Sequence, residues 1–131
     1  MFIGEYTHTV DEKKRFSLPS KFRQELGKKV VVTRGKDRCL VLYPTKTWLD
    51  ISKEVKGLGH VEKDPRYTRF TFAGASEVEI DSIGRILIPE FLREFADLKS
   101  SIVLTGVHDR VEIWNDKRWT AYRKKLESEY A

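Results

Sequence analysis

Asp11-Glu12-Lys13-Lys14-Arg15-Phe16-Ser17-Leu18-Pro19 and Asp81-Ser82-Ile83-Gly84-Arg85-Ile86-Leu87-Ile88-Pro89 are one pattern written twice, 70 residues apart. Asp, Arg and Pro coincide outright. Phe16/Ile86 and Leu18/Ile88 coincide in kind, and Arg23 meets Arg93 at the same offset. With a small gap the match continues. Val31-Val32-Thr33 parallels Val103-Leu104-Thr105, Asp37-Arg38 parallels Asp109-Arg110, and Tyr43-Pro44 with Trp48 parallels Trp114-Asn115 with Trp119. An internal repeat sets the unit of folding before any element is assigned. It implies a first unit over residues 1–56, a connector over 57–69 holding two Gly, one Pro and mixed charge, and a second unit over 70–131.

Both units share one local grammar. Tyr6, His8 and Val10 alternate with Thr7 and Thr9, and Val78 and Ile80 alternate with Glu77 and Glu79; this period of two marks strands. Turns follow at 11–14 and 81–84, then short strands at 15–18 and 85–88. Pro19 and Pro89 sit where helices start. Phe22 and Leu26, then Leu92, Phe95 and Ala96, keep a helical face, and Gly27 suits a helix stop. Strands are expected at 29–34, 39–43, 102–106 and 111–114, and closing helices at about 46–56 and 116–129. The class is therefore α+β. Units this small are marginal alone, so the two are expected to share one core, through interleaved or swapped hairpins.

The chain has 131 residues, 40% hydrophobic and 34% charged, which is ordinary for one soluble domain. The longest apolar runs, Val30-Val31-Val32 and Leu40-Val41-Leu42-Tyr43, are far short of the roughly 20 residues of a membrane span. Met1-Phe2-Ile3-Gly4-Glu5-Tyr6-Thr7-His8 has neither the basic start nor the apolar stretch of a signal peptide, and the single Cys39 forms no internal disulfide; a cytoplasmic protein without a membrane partner is expected. The net charge of +5 is uneven: residues 1–56 hold 13 basic and 7 acidic residues, and residues 57–131 hold 12 and 13. A basic half points toward a polyanion, nucleic acid first.

Enzyme signatures are missing. His8, His60 and His108 lack metal-ligand spacing, there is no phosphate-binding glycine loop, and no nucleophile elbow is present. No catalytic residue, metal, cofactor or small-molecule substrate is expected. Cys39 and the tryptophans Trp48, Trp114 and Trp119 read as core, with base stacking the other use open to the tryptophans. Asp11 and Asp81 read first as turn formers, helped at Gly84 by its freedom to take positive φ. Arg15 and Arg85 then either lie solvated, pair with the aspartates, or meet a phosphate or guanine edge. Lys13 and Lys14 make Arg15 part of a basic cluster, and Arg23 and Arg93 flank the turns if their helices pack nearby. Arg34, Lys36 and Arg38 form another basic turn, with a solvated loop the default.

The doubled Asp-x-x-x-Arg-x-x-x-Pro, the opening Met1-Phe2-Ile3-Gly4-Glu5-Tyr6, Phe72-Ala73-Gly74-Ala75 and Ile113-Trp114 resemble the bacterial MraZ family over nearly the whole chain. The resemblance implies two tandem AbrB-like modules sharing a double-ψ or swapped-hairpin β-barrel with flanking helices. It implies a DNA-binding transcriptional regulator of the division and cell-wall gene cluster, nucleoid-associated, acting on double-stranded DNA with short direct repeats. It also implies a homo-oligomeric ring, commonly an octamer or dodecamer. DNA contact would fall to Arg15, Lys13, Lys14, Arg85, Arg23 and Arg93, with Asp11, Asp81 and Gly84 shaping the turns. Lys14 departs from the glycine usual before the motif arginine, and His8 stands where AbrB-type proteins often carry arginine. An AbrB-like antitoxin or other protein-interaction module is the competing expectation.

Overall fold

A computed structural model describes residues 1–57 and 64–131; His60 and the middle of the expected connector, residues 58–63, lie outside the described residues. The first unit contributes β1 (Phe2–Thr9), β2 (Arg15–Ser17), α1 (Ser20–Leu26), β3 (Lys29–Arg34), β4 (Leu40–Pro44) and α2 (Thr45–Gly57). After α3 (Pro65–Ala73), the second unit repeats the order with β5 (Ser76–Glu79), β6 (Arg85–Leu87), α4 (Glu90–Phe95), β7 (Ser101–His108), β8 (Arg110–Asn115) and α5 (Asp116–Tyr130). The α+β class and the doubled element order match the sequence reading.

The units do not build separate sheets. A six-stranded sheet runs β1-β7-β8-β4-β3-β5, and β2 pairs with β6 in a separate two-stranded ribbon. β1 lies antiparallel to β7 of the other unit, from Phe2 opposite His108 to Thr9 opposite Ser101. Reciprocally, β5 lies on β3, from Lys29 opposite Glu79 to Val32 opposite Ser76. Each unit thus lends its first strand to the other. The ribbon is shared in the same way, with Phe16 opposite Ile86.

Strand alternation divides the side chains into two layers. Val30, Val32, Leu40, Leu42, Ile102, Leu104, Val111 and Ile113 form the main core with Phe16 and Ile86 of the ribbon, Phe22 and Leu26 of α1, and Leu92 of α4. On the opposite face of the sheet, Cys39, Val41, Val103 and Trp114 pack with Tyr43 and with Trp119 and Tyr122 of α5. The ribbon and α5 therefore cover opposite faces of the six-stranded sheet. Trp114 stacks on Tyr122 at 5.2 Å, and Trp48 lies 4.7 Å from Phe72, so all three tryptophans are packing residues. Burial pushes the Cys39 thiol pKa up, which keeps it a neutral core side chain.

Pro19 and Pro89 precede the helices as their N-caps, and Gly27 ends α1 at φ 80° with its N–H donating to Arg23 O at 3.0 Å. Two elements exceed the sequence reading. β1 starts at Phe2, because Gly4 faces Gly106 and lets the two backbones close up. The expected connector turns helical at Pro65, because the Asp64 carboxylate accepts from the N–H groups of Arg66 and Tyr67 while proline fills the first turn. None of the described helices is long and apolar enough to cross a membrane.

A Cβ on Gly106 would run into the backbone of Phe2 and Ile3. Gly106→Ala should therefore force β1 away from β7 and cost about 1–3 kcal/mol or more. A urea titration checks this; an unchanged midpoint would mean that the β1–β7 ladder adds little to stability.

Candidate functional site

The two Asp-x-x-x-Arg turns are built alike, bond for bond. In the first, Asp11 Oδ1 accepts from the N–H groups of Lys13 (2.8 Å) and Arg15 (2.9 Å), and Oδ2 accepts from Arg15 Nε at 3.2 Å. In the second, Asp81 Oδ1 accepts from Ile83 (3.1 Å) and Arg85 (2.8 Å), and Oδ2 accepts from Arg85 Nε at 2.9 Å. Backbone bonds close each turn: Lys14 N–H to Asp11 O, and Gly84 N–H to Asp81 O, both 3.0 Å. The N–H of Arg15 foremost holds the Asp11 carboxyl below its ordinary pKa, and that of Arg85 does the same for Asp81. The aspartates are turn formers that also orient the arginines.

Lys14 takes φ 67° and Gly84 takes φ 87°. Lys14, at the place of Gly84 in the second turn, thus keeps the same turn shape, at the steric cost a Cβ pays in the left-handed region.

These turns place both arginines on one surface. Along the ribbon Phe16 and Ile86 point into the core, at 3% and 1% exposure. By alternation Arg15, Ser17, Arg85 and Leu87 line the outward face. Arg15 is opposite Leu87, and Arg85 is opposite Ser17, so the arginines are diagonal neighbours. Such neighbours lie about 7–8 Å apart at Cα. Each guanidinium is anchored through Nε, and among the described residues neither Arg15 Nη nor Arg85 Nη makes a hydrogen bond. Exposed Lys13 and Lys14 extend the face at one end.

Arg23 and Arg93 are also at this site, but crossed between the units. Arg23 of the first unit lies over Gly84 of the second, where a Cβ would collide with its Nη1, Cδ and Cζ. Arg93 of the second unit borders a cleft with Asp11, Lys14 and Phe16 of the first, and its Nε donates to Ile88 O at 2.9 Å. The interleaved strands carry each helix to the other unit's turn, which the linear order of residues does not reveal.

The remaining basic positions serve other ends. Arg34 donates from Nε (3.0 Å) and Nη2 (2.7 Å) to Phe70 O, lies over the Phe70 ring at 4.5 Å, and fills the space beside Gly74. It is a tie between β3 and the end of α3 rather than a solvated loop residue. Lys36 and Arg38 rest on Tyr67 and Phe95 at 5.4 and 5.1 Å. His8 is half-buried, and burial lowers its pKa. Among the described residues no group of three or more His, Cys, Asp or Glu side chains could hold a metal ion.

Two substitutions at equivalent positions should move stability in opposite directions. Lys14→Gly should stabilise by up to about 1 kcal/mol, the left-handed penalty being partly offset by glycine's entropy. Gly84→Ala should destabilise by about 1–2 kcal/mol, since the methyl is strained there and must displace Arg23. Thermal melts check both, and equal signs would contradict the shared turn geometry. Because both aspartate pKa values are depressed on folding, the turns' contribution is present above the ordinary aspartate range. It is lost as pH falls through the depressed values. Carboxyl NMR titration should put both midpoints below the ordinary aspartate value; a midpoint at or above it would argue against the bonded turns.

A family model described as "MraZ protein, putative antitoxin-like" matches the chain twice, over residues 1–70 and 71–130. Three similar proteins are each named transcriptional regulator MraZ. That of Moorella thermoacetica is 45% identical over 131 residues, 99% of this chain and 92% of that protein. That of Halothermothrix orenii is 46% identical with the same coverage. That of Caldicellulosiruptor saccharolyticus is 50% identical over 120 residues, 91% of this chain and 84% of that protein. On the doubled family match and this near-full-length identity, the chain belongs to the MraZ family.

Proposed function

We propose that the chain is a DNA-binding transcriptional regulator and not an enzyme, and that the outward face of the β2–β6 ribbon is its DNA-reading surface. One observation carries this reading: both units place a half-buried, carboxylate-anchored arginine, Arg15 and Arg85, on the same outward face of the ribbon. A two-stranded ribbon fits the major groove, and arginine's paired Nη donors match a guanine edge or a phosphate. Lys13, Lys14, Arg23 and Arg93 hold the backbone and set register. In this reading the exchanged strands and the closing ribbon form a swapped-hairpin barrel of two AbrB-like modules, over 1–56 and 70–131 with a connector between. No cofactor or small-molecule substrate takes part.

A single ribbon offers few phosphate contacts. A homo-oligomeric ring, an octamer or dodecamer, repeats it at fixed intervals, so DNA with short direct repeats engages several copies and each later contact is effectively intramolecular. The site of action in this reading is the nucleoid, upstream of the division and cell-wall gene cluster. The basic first unit does most of the work. A toxin or other protein partner is the second reading, favoured by the antitoxin-like description of the family model.

Fluorescence anisotropy with the DNA upstream of the chain's own gene, beside a scrambled duplex, tests this across a salt series. Tight binding should require the repeats and weaken steeply with salt. Arg15→Ala should cost about tenfold or more in affinity, and Arg85→Ala clearly less. Equal affinity for both duplexes would contradict sequence-specific regulation. Equal losses in the two variants would remove the asymmetry. Absence of binding to either duplex, with self-association intact, would move the function to a protein partner.

A further inference from the structure

At three exposed positions the two units differ in a consistent way. Lys13, Ser17 and Lys21 of the first unit correspond, 70 residues on, to Ile83, Leu87 and Phe91 of the second. All three apolar side chains are open to solvent, at 61%, 48% and 50%. A lone exposed apolar residue is ordinary, but three replacing polar counterparts at matched sites form a pattern. The main core does not use them, and the alternation that buries Ile86 points Leu87 outward.

Two of the three belong to the arginine-bearing surface. Leu87 is the cross-strand partner of Arg15, on the face that also carries Arg85. Ile83 occupies the tip of the second turn, and its N–H is bound to Asp81 Oδ1 at 3.1 Å, so its position is fixed relative to Arg85. Whatever covers Leu87 must also accept two guanidinium groups whose Nη donors make no hydrogen bond among the described residues. An apolar protein surface would leave those charges buried and unpaired. The major groove of DNA offers acceptors and apolar methyl groups side by side, the methyl being the C5 substituent of thymine.

Resting on the DNA-binding reading above, we infer that Leu87 and Ile83 are specificity-determining residues that read thymine methyl groups next to the bases or phosphates held by Arg15 and Arg85. The two units then divide the labour. The first turn, with Lys13 and Lys14, supplies sequence-independent phosphate contact, and the second supplies apolar discrimination.

The test compares one duplex, the DNA upstream of the chain's own gene, made with thymidine and with deoxyuridine, which lacks only the methyl. The proteins are the full chain, Leu87→Ser and Ile83→Lys; each variant installs the residue of the first unit at an exposed site. The unaltered chain should bind the thymidine duplex about fourfold more tightly per methyl contacted. Each variant should lose part of that preference, and the double variant nearly all of it, while still binding. A chain indifferent to the methyl, or a preference surviving in the double variant, would overturn the inference and leave the regulator reading standing. Loss of self-association in Leu87→Ser with the methyl preference unchanged would assign this face to a second copy and also overturn it. No binding to either duplex by any of the proteins would instead sink the DNA reading itself.

Discussion

The pairing of each unit's first strand with the other unit's sheet is the constraint on which the rest depends. About 50 residues bury too little surface to be stable alone. With β1 on β7 and β5 on β3, the two units close one core of Val, Leu and Ile from both halves, capped by Phe16 and Ile86. The exchange has a geometric consequence beyond stability. Because the chain crosses between units before each Asp-x-x-x-Arg turn, β2 and β6 meet as neighbours, and their arginines share one face. It also brings Arg23 to the second turn and Arg93 to the first.

Within that frame the aspartate carboxylates do two jobs with the same atoms. Oδ1 accepts backbone N–H groups and fixes the turn, while Oδ2 holds the arginine by Nε. The guanidinium is thereby held at Nε, while its outer nitrogens make no hydrogen bond among the described residues. Orientation before contact reduces the side-chain entropy lost on binding. The Asp–Arg pairs are too exposed to be judged by ion-pair strength; their value lies in geometry.

Much of this was legible in the residues. The repeat, the aspartate turns, the helix starts at Pro19 and Pro89 and the packing of Trp48, Trp114 and Trp119 follow from spacing and local chemistry. The helix at Pro65–Ala73 was readable too, since Asp64-Pro65 is a strong start signal that the mixed charge of the segment obscured. What linear reasoning could not supply was which unit's helix meets which turn. Nor could it show that Lys14 accepts φ 67° and keeps the first turn's shape. Arg34 looked like a loop cation; its bond to Phe70 O depends on α3, 36 residues away in sequence. Such facts belong to the tertiary arrangement, which overrides local preference.

The fold presents two distinct basic surfaces, and they separate cleanly. The ribbon with Lys13 and Lys14 covers one face of the six-stranded sheet, and α5 with exposed Lys124 and Lys125 packs on the other. Lysine reactivity footprinting of the full chain, with and without its upstream duplex, tests most directly which of them meets DNA. Lys13 and Lys14 should lose reactivity in the complex while Lys124 and Lys125 keep theirs. Protection of Lys124 and Lys125 with Lys13 and Lys14 still reactive would contradict a DNA-reading ribbon.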